Sequence, residues 1–152
     1  MNTIRRCKNL GIAAIAILFG LPTLAEPTAI QNLPDGNYIF SSKLPDRSKH
    51  PDIQLAGAEI YVIQKAGDRV FGEFFVANSS DFSCFRGTVK DSAIVGEALY
   101  LPFPMDSVNN KIATLPFQEN LQNFKLLAPD SIPYAKGSIQ RCRDRFLRYT
   151  KS

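Results

Sequence analysis

Between Ala58 and Leu101 the chain alternates runs dense in β-branched and aromatic residues with brief polar breaks, the pattern of successive strands joined by tight turns. The runs are Ala58 to Lys65, Arg69 to Val76, Phe82 to Val89 and Ala93 to Leu101, and the breaks are Ala66-Gly67-Asp68, Asn78-Ser79-Ser80-Asp81 and Lys90-Asp91-Ser92. Connections this short make the four strands an antiparallel meander. Gly72, Gly87 and Gly96 each interrupt a strand. Glycine inside a strand marks a bend or a close backbone approach, so the sheet is expected to curve, as a small barrel or a half-barrel.

The flanks are less regular. Leu33-Pro34-Asp35-Gly36 is a turn signal ahead of a short strand, Asn37 to Phe40. Ser41 to Leu55 reads as a long exposed loop, because Pro45 and Pro51 interrupt regular structure. Pro102 to Asn110 reads as a second irregular segment, and Lys111 to Leu115 as a strand stopped by Pro116. Asn120 to Leu127 fits either a helix face or a short strand, and periodicity does not choose between them. At the end, Ile139, Cys142, Phe146 and Tyr149 recur at helical spacing, which predicts a helix with Ser138 as N-cap and Cys142 on the inward face. The fold class is therefore mainly β, an antiparallel meander or small curved barrel with a C-terminal α-helix.

The first 25 residues change what composition implies. Arg5, Arg6 and Lys8 precede the uncharged apolar run Leu10 to Leu21, and Thr23-Leu24-Ala25 ends in a small residue. That order is a secretory signal peptide, with cleavage expected after Ala25, and it leaves one domain over residues 26–152 in the periplasm or outside the cell. All 14 acidic residues lie beyond Ala25, and three of the 18 basic ones precede it. The overall charge of +4 therefore falls to +1 in the mature chain, too little to imply a nucleic-acid partner.

Removing the signal also removes Cys7 and leaves Cys84 and Cys142, an even pair in an oxidising compartment, for which a disulfide is the natural state. Closing a loop of 58 residues stabilises the fold by about 4 kcal/mol in the chain-entropy model. Neither cysteine sits in a Cys-x-x-Cys pair or beside a histidine or lysine cluster, so a redox role has no support in the sequence.

Candidate chemistry is sparse. His50 is the sole histidine, in a loop with no orienting partner. No serine stands in a nucleophile elbow. No cluster of four ligands presents itself for a metal, and no cofactor is indicated. Glu73 and Glu97 follow two of the mid-strand glycines and are expected to face solvent. Arg141, Arg145 and Arg148 lie along one flank of the predicted helix, a candidate patch for an acidic partner or an anionic membrane surface.

Taken together, Leu33-Pro34-Asp35-Gly36-Asn37-Tyr38, Tyr61-Val62-Ile63, Val70-Phe71-Gly72-Glu73-Phe74-Phe75, Phe82-Ser83-Cys84-Phe85-Arg86-Gly87 and a cysteine in a C-terminal helix resemble a group of small, exported, uncharacterised cyanobacterial all-β proteins. The resemblance implies a β domain with a terminal helix and favours a strand near Phe124. It transfers no active site. The expected function is that of an exported, non-enzymatic binding or interaction protein, the alternatives being a lipocalin-like carrier of a small apolar ligand and, third, a hydrolase. A core filled by Phe71, Phe74, Phe75, Phe82 and Phe85 is preferred to a hollow one.

Overall fold

In a computed structural model that describes residues 29–100 and 113–149, each polar break of the meander becomes a turn. Gly67 adopts φ +61° in the two-residue link from β2 (Glu59–Ala66) to β3 (Arg69–Val76), where its N–H donates to Asp35 Oδ1 at 2.7 Å. Asp91 (φ +57°) turns β4 (Phe82–Lys90) into β5 (Ala93–Tyr100). With β1 (Gly36–Ser41), β6 (Ala113–Asn120) and β7 (Lys125–Leu127), these strands form one antiparallel sheet in the order β6-β5-β4-β3-β2-β1-β7. The signal segment and the Pro102 to Asn110 segment lie outside the described residues.

One reading at the flanks is corrected and one open reading is settled. β6 runs through Pro116 instead of stopping there, because β6 is an edge strand, where a residue without an N–H is tolerated. The ambiguous run resolves into a turn and the short β7, which pairs with β1.

The sheet is curled but not closed. Tyr61 on β2 donates to Glu119 Oε2 on β6 at 2.9 Å, although four strand intervals would separate these positions by about 19 Å in a flat sheet. Curvature toward that face brings the two together. It depends on a close backbone approach between β4 and β5, where Gly87 and Gly96 are direct partners. A Cβ on Gly96 would lie 2.0 Å from Arg86 O and 2.5 Å from Gly87 Cα. Closure would require a ladder between β6 and β7. Pro116 has no N–H to offer one and β7 is only three residues long, so the two edges stay unpaired.

Each face buries its own apolar residues. The concave face holds Phe40, Tyr61, Ile63, Val70, Phe85 and Ile94, with Ile30 of the preceding turn at one end. Its rings interlock: Phe85 stacks on Phe117 at 4.8 Å, and Tyr61 contacts Phe74, Phe85 and Phe124. The opposite face is covered by α1 (Ser138–Tyr149), which crosses β3 and touches β2 and β4. The five phenylalanines expected in one interior are therefore divided. Phe74 and Phe85 lie on the concave face, whereas Phe71, Phe75 and Phe82 pack on the helix-bearing face, as the two-residue period of a strand requires when both faces are covered.

Helix α1 begins one residue differently from expectation. Gly137, at φ +81°, accepts the Arg141 N–H at 2.8 Å and so takes the N-cap position, leaving Ser138 buried in the first turn. Ile139, Cys142, Phe146 and Tyr149 all face the sheet as the spacing predicts.

Candidate functional site

Register on the helix-bearing face sets Glu73 of β3 beside Cys84 of β4. Directly above them α1 presents Arg141, Cys142 and Arg145, since residues four apart share a helix face. Cys84 and Cys142 form the expected disulfide, with a Cα–Cα distance of 5.3 Å and both residues 0% exposed.

Glu73 is also 0% exposed, which corrects the expectation that it faces solvent. Its Oε2 accepts from Arg141 Nη2 at 3.0 Å, and its Oε1 lies 3.7 Å from Arg145 Nη1. Arg141 Nη2 also donates to the Tyr134 carbonyl at 3.1 Å and to Ser138 Oγ at 2.7 Å. The two guanidinium planes rest on rings, Arg141 over Tyr134 at 4.4 Å and Arg145 over Phe82 at 4.3 Å. Arg145 Nη1 lies 3.9 Å from Cys84 Sγ. A buried carboxylate requires such a counter-charge, and one helix delivers the counter-ions together with the disulfide partner.

This arrangement revises the arginine patch. Arg141 and Arg145 are turned inward onto Glu73, and Arg148 stays exposed beside the Tyr149 ring. The three do not form one free cationic surface. Glu73, Cys84 and Cys142 do bring a carboxylate and two sulfurs within 4.8 Å of one another. The sulfurs are bonded to each other and the carboxylate faces two guanidiniums, so the donor set does not fit a cation.

Beside the helix, the same sheet face opens into a groove of about 690 Å³ over β2 to β5. Phe71 and Val95 give it apolar walls, Gly87 and Gly96 leave backbone in its floor, and Arg69 and Arg86 stand along it. Arg86 is held between two partners. Its Nε donates to Glu97 Oε1 at 2.6 Å, and its guanidinium lies 4.8 Å from the Phe146 ring centre. Arg69 is exposed and makes no ion pair with any described residue. Gln64, at the other rim, accepts a hydrogen bond from Arg143 of α1. A smaller cavity of about 420 Å³ lies on the far side of α1, between Tyr38 and Ile39 of β1 and Gln140 of the helix.

The remaining candidates are dispersed. His50 Nδ1 lies 3.3 Å from Asp52 Oδ2 in the exposed loop, and nearby Ser48 donates to Asp46 instead. Those bonds from Ser48 hold the Asp46 carboxyl below its ordinary range. On the concave side, burial and the bond to Glu119 push the Tyr61 phenol above its usual pKa. Glu97 and Glu73 are on strands separated by β4 and have different partners. The sequence did contain a sign of the buried cluster. Glu73 is a lone charge within Val70 to Val76, and Arg141 and Arg145 flank the cysteine that must reach the same sheet.

No protein-family model, no curated protein and no solved structure matches this chain.

Proposed function

We propose that this protein is an exported binding or interaction protein, and that the groove over β2 to β5 takes its partner. The groove carries the reading: it combines apolar walls, backbone in its floor and a guanidinium with no partner among the described residues, the mixture of apolar surface and few polar anchors that binding sites use. The signal-like start and the pairing of Cys84 with Cys142 support export.

The reading as an enzyme has less behind it. His50 and Asp52 are exposed in a loop, away from the residues that line the groove. The carrier reading also has less support, because stacked rings occupy the concave side where an apolar ligand would enter.

The test is a panel of acidic and basic peptides, oligosaccharides and a fatty acid, added to isotope-labelled mature protein and followed by amide chemical shifts. Shifts centred on Phe71, Gly87, Thr88 and Val95 are expected for at least one class. Shifts confined to Phe40, Phe85 and Phe117 would move the assignment to a carrier, and a flat response across the panel would overturn the binding reading.

A further inference from the structure

We infer that the groove takes an acidic, extended peptide segment of a partner protein, anchored through Arg69. The inference rests on the binding-protein reading above and specifies the partner's chemistry.

Charge is the first ground. Arg69 and Arg86 line the groove, Arg143 reaches its rim through Gln64, and Lys90 follows Thr88 by two positions on the same face of β4. The nearby carboxylates are Glu97 in the groove and Asp68 in the adjoining turn. Of these cations, Arg86 is neutralised by Glu97 and Arg143 hydrogen-bonds to Gln64, whereas Arg69 and Lys90 have no described counter-ion. Arg86 Nε and Nη2 both meet Glu97 Oε1, at 2.6 and 2.5 Å, which leaves Arg69 and Lys90 as the cations open to a partner.

Shape is the second ground. The groove crosses four strands, a width of about 14 Å, which about four extended residues would span. Gly87 and Gly96 lie in its lining between Phe71 and Val95, so an extended chain can lie across the strands with apolar side chains toward Phe71 and Val95. Val95 is 49% exposed and available for such contact. A bilayer would instead meet the protruding side chains and leave this recessed floor uncovered, so the geometry favours a peptide.

The experiment uses full mature protein with its disulfide intact. The probes are a fluorescent hexapeptide alternating glutamate with valine or leucine, its lysine counterpart, inorganic phosphate, and phosphatidylcholine vesicles containing one-third phosphatidylglycerol. The acidic peptide is expected to bind, to shift the amides of Gly87, Thr88 and Gly96, and to bind more weakly as salt is raised. Arg69→Glu should weaken it at least tenfold without loss of fold, because Arg69 is exposed and has no partner to orphan among the described residues; Arg148→Glu should change it less than twofold. Equal binding of the lysine peptide, or Arg69→Glu binding as well as the native chain, overturns the inference. Displacement of the peptide by millimolar phosphate would reduce the site to a simple anion site, and vesicle binding without peptide binding would assign the surface to membranes; either result overturns it. If the lysine or phosphate probe alone shifts the groove amides, the acidic-peptide inference fails and the binding-protein reading stands. If no probe shifts them, both fail.

Discussion

The two faces of the sheet are built by different physics. On the concave face Phe85, Phe117, Tyr61, Phe74 and Phe124 meet ring against ring, and the polar contact described there, Tyr61 with Glu119, lies at the rim between distant strands. On the helix-bearing face the contacts of α1 include a disulfide, a buried carboxylate and two stacked guanidiniums. Shape holds the first face, and cross-links and charge hold the second. A face that keeps charges and leaves part of its floor uncovered has the means to recognise something. A face filled by rings has the means to set curvature. That contrast is why the groove is assigned to the helix side.

The contrast is tested most severely by removing the cross-link. Replacing Cys84 and Cys142 with serine or alanine should cost about 4 kcal/mol, for a closed loop of 58 residues, read as a lowered urea midpoint. If instead the double variant unfolds within 1 kcal/mol of the native protein, α1 is held by packing alone and the two faces are not distinct. Next, Glu73→Gln leaves Arg141 and Arg145 without a counter-charge. A broken buried pair costs about 3–5 kcal/mol, and since those arginine side chains are 35% and 24% exposed, about 2–3 kcal/mol is expected here. Arg148→Ala, on the exposed flank, should stay within about 0.5 kcal/mol.

Much of this arrangement was legible in the sequence, and the misses share a cause. Short turns around Gly67 and Asp91 and the β-rich runs between them determine the meander, because local chemistry settles turns and strands. The helix face and the disulfide followed from spacing and parity. What escaped were properties of the assembled sheet. Pro116 stops a central strand but not an edge strand, and edge position is not local information. Ser138 gave up the N-cap to Gly137 and binds Arg141 instead. Glu73 looked solvent-facing because alternation assigns a charge to the wet face, whereas this sheet has both faces covered near β3. The groove could not be read at all, since its residues come from four strands and become neighbours only through register.

On the concave side, the curvature itself can be challenged. Gly96→Ala places a Cβ 2.0 Å from Arg86 O, where backbone must move to relieve it. Overpacking of this kind costs about 2 kcal/mol, and the displaced β5 should weaken the Phe85–Phe117 stack, visible as a reduced near-ultraviolet circular dichroism signal. Full retention of that signal and of stability would separate the glycine pair from the curl.

The effect expected at Tyr61 is the most diagnostic, because it varies with pH. Tyr61 contributes a charge-assisted hydrogen bond to Glu119 across the open side of the curl, and Tyr61→Phe should remove about 1 kcal/mol at neutral pH. Burial and that bond raise the folded-state pKa above the ordinary value of 10.0. Above about pH 10 the unfolded chain therefore releases the phenolic proton while the folded chain keeps it, and stability falls as pH rises. Below pH 10 both states hold the proton and the contribution is fully present. The phenylalanine variant has no such proton, so the stability gap between native and variant should be constant from pH 7 to 9.5 and close above pH 10, measured by urea unfolding at each pH. A gap that stays constant through pH 11 would mean that Tyr61 ionises as freely in the folded protein as in the unfolded one. The ring-packed face would then admit water to the Tyr61 hydroxyl, and the distinction between a sealed concave side and a charged helix side would not hold.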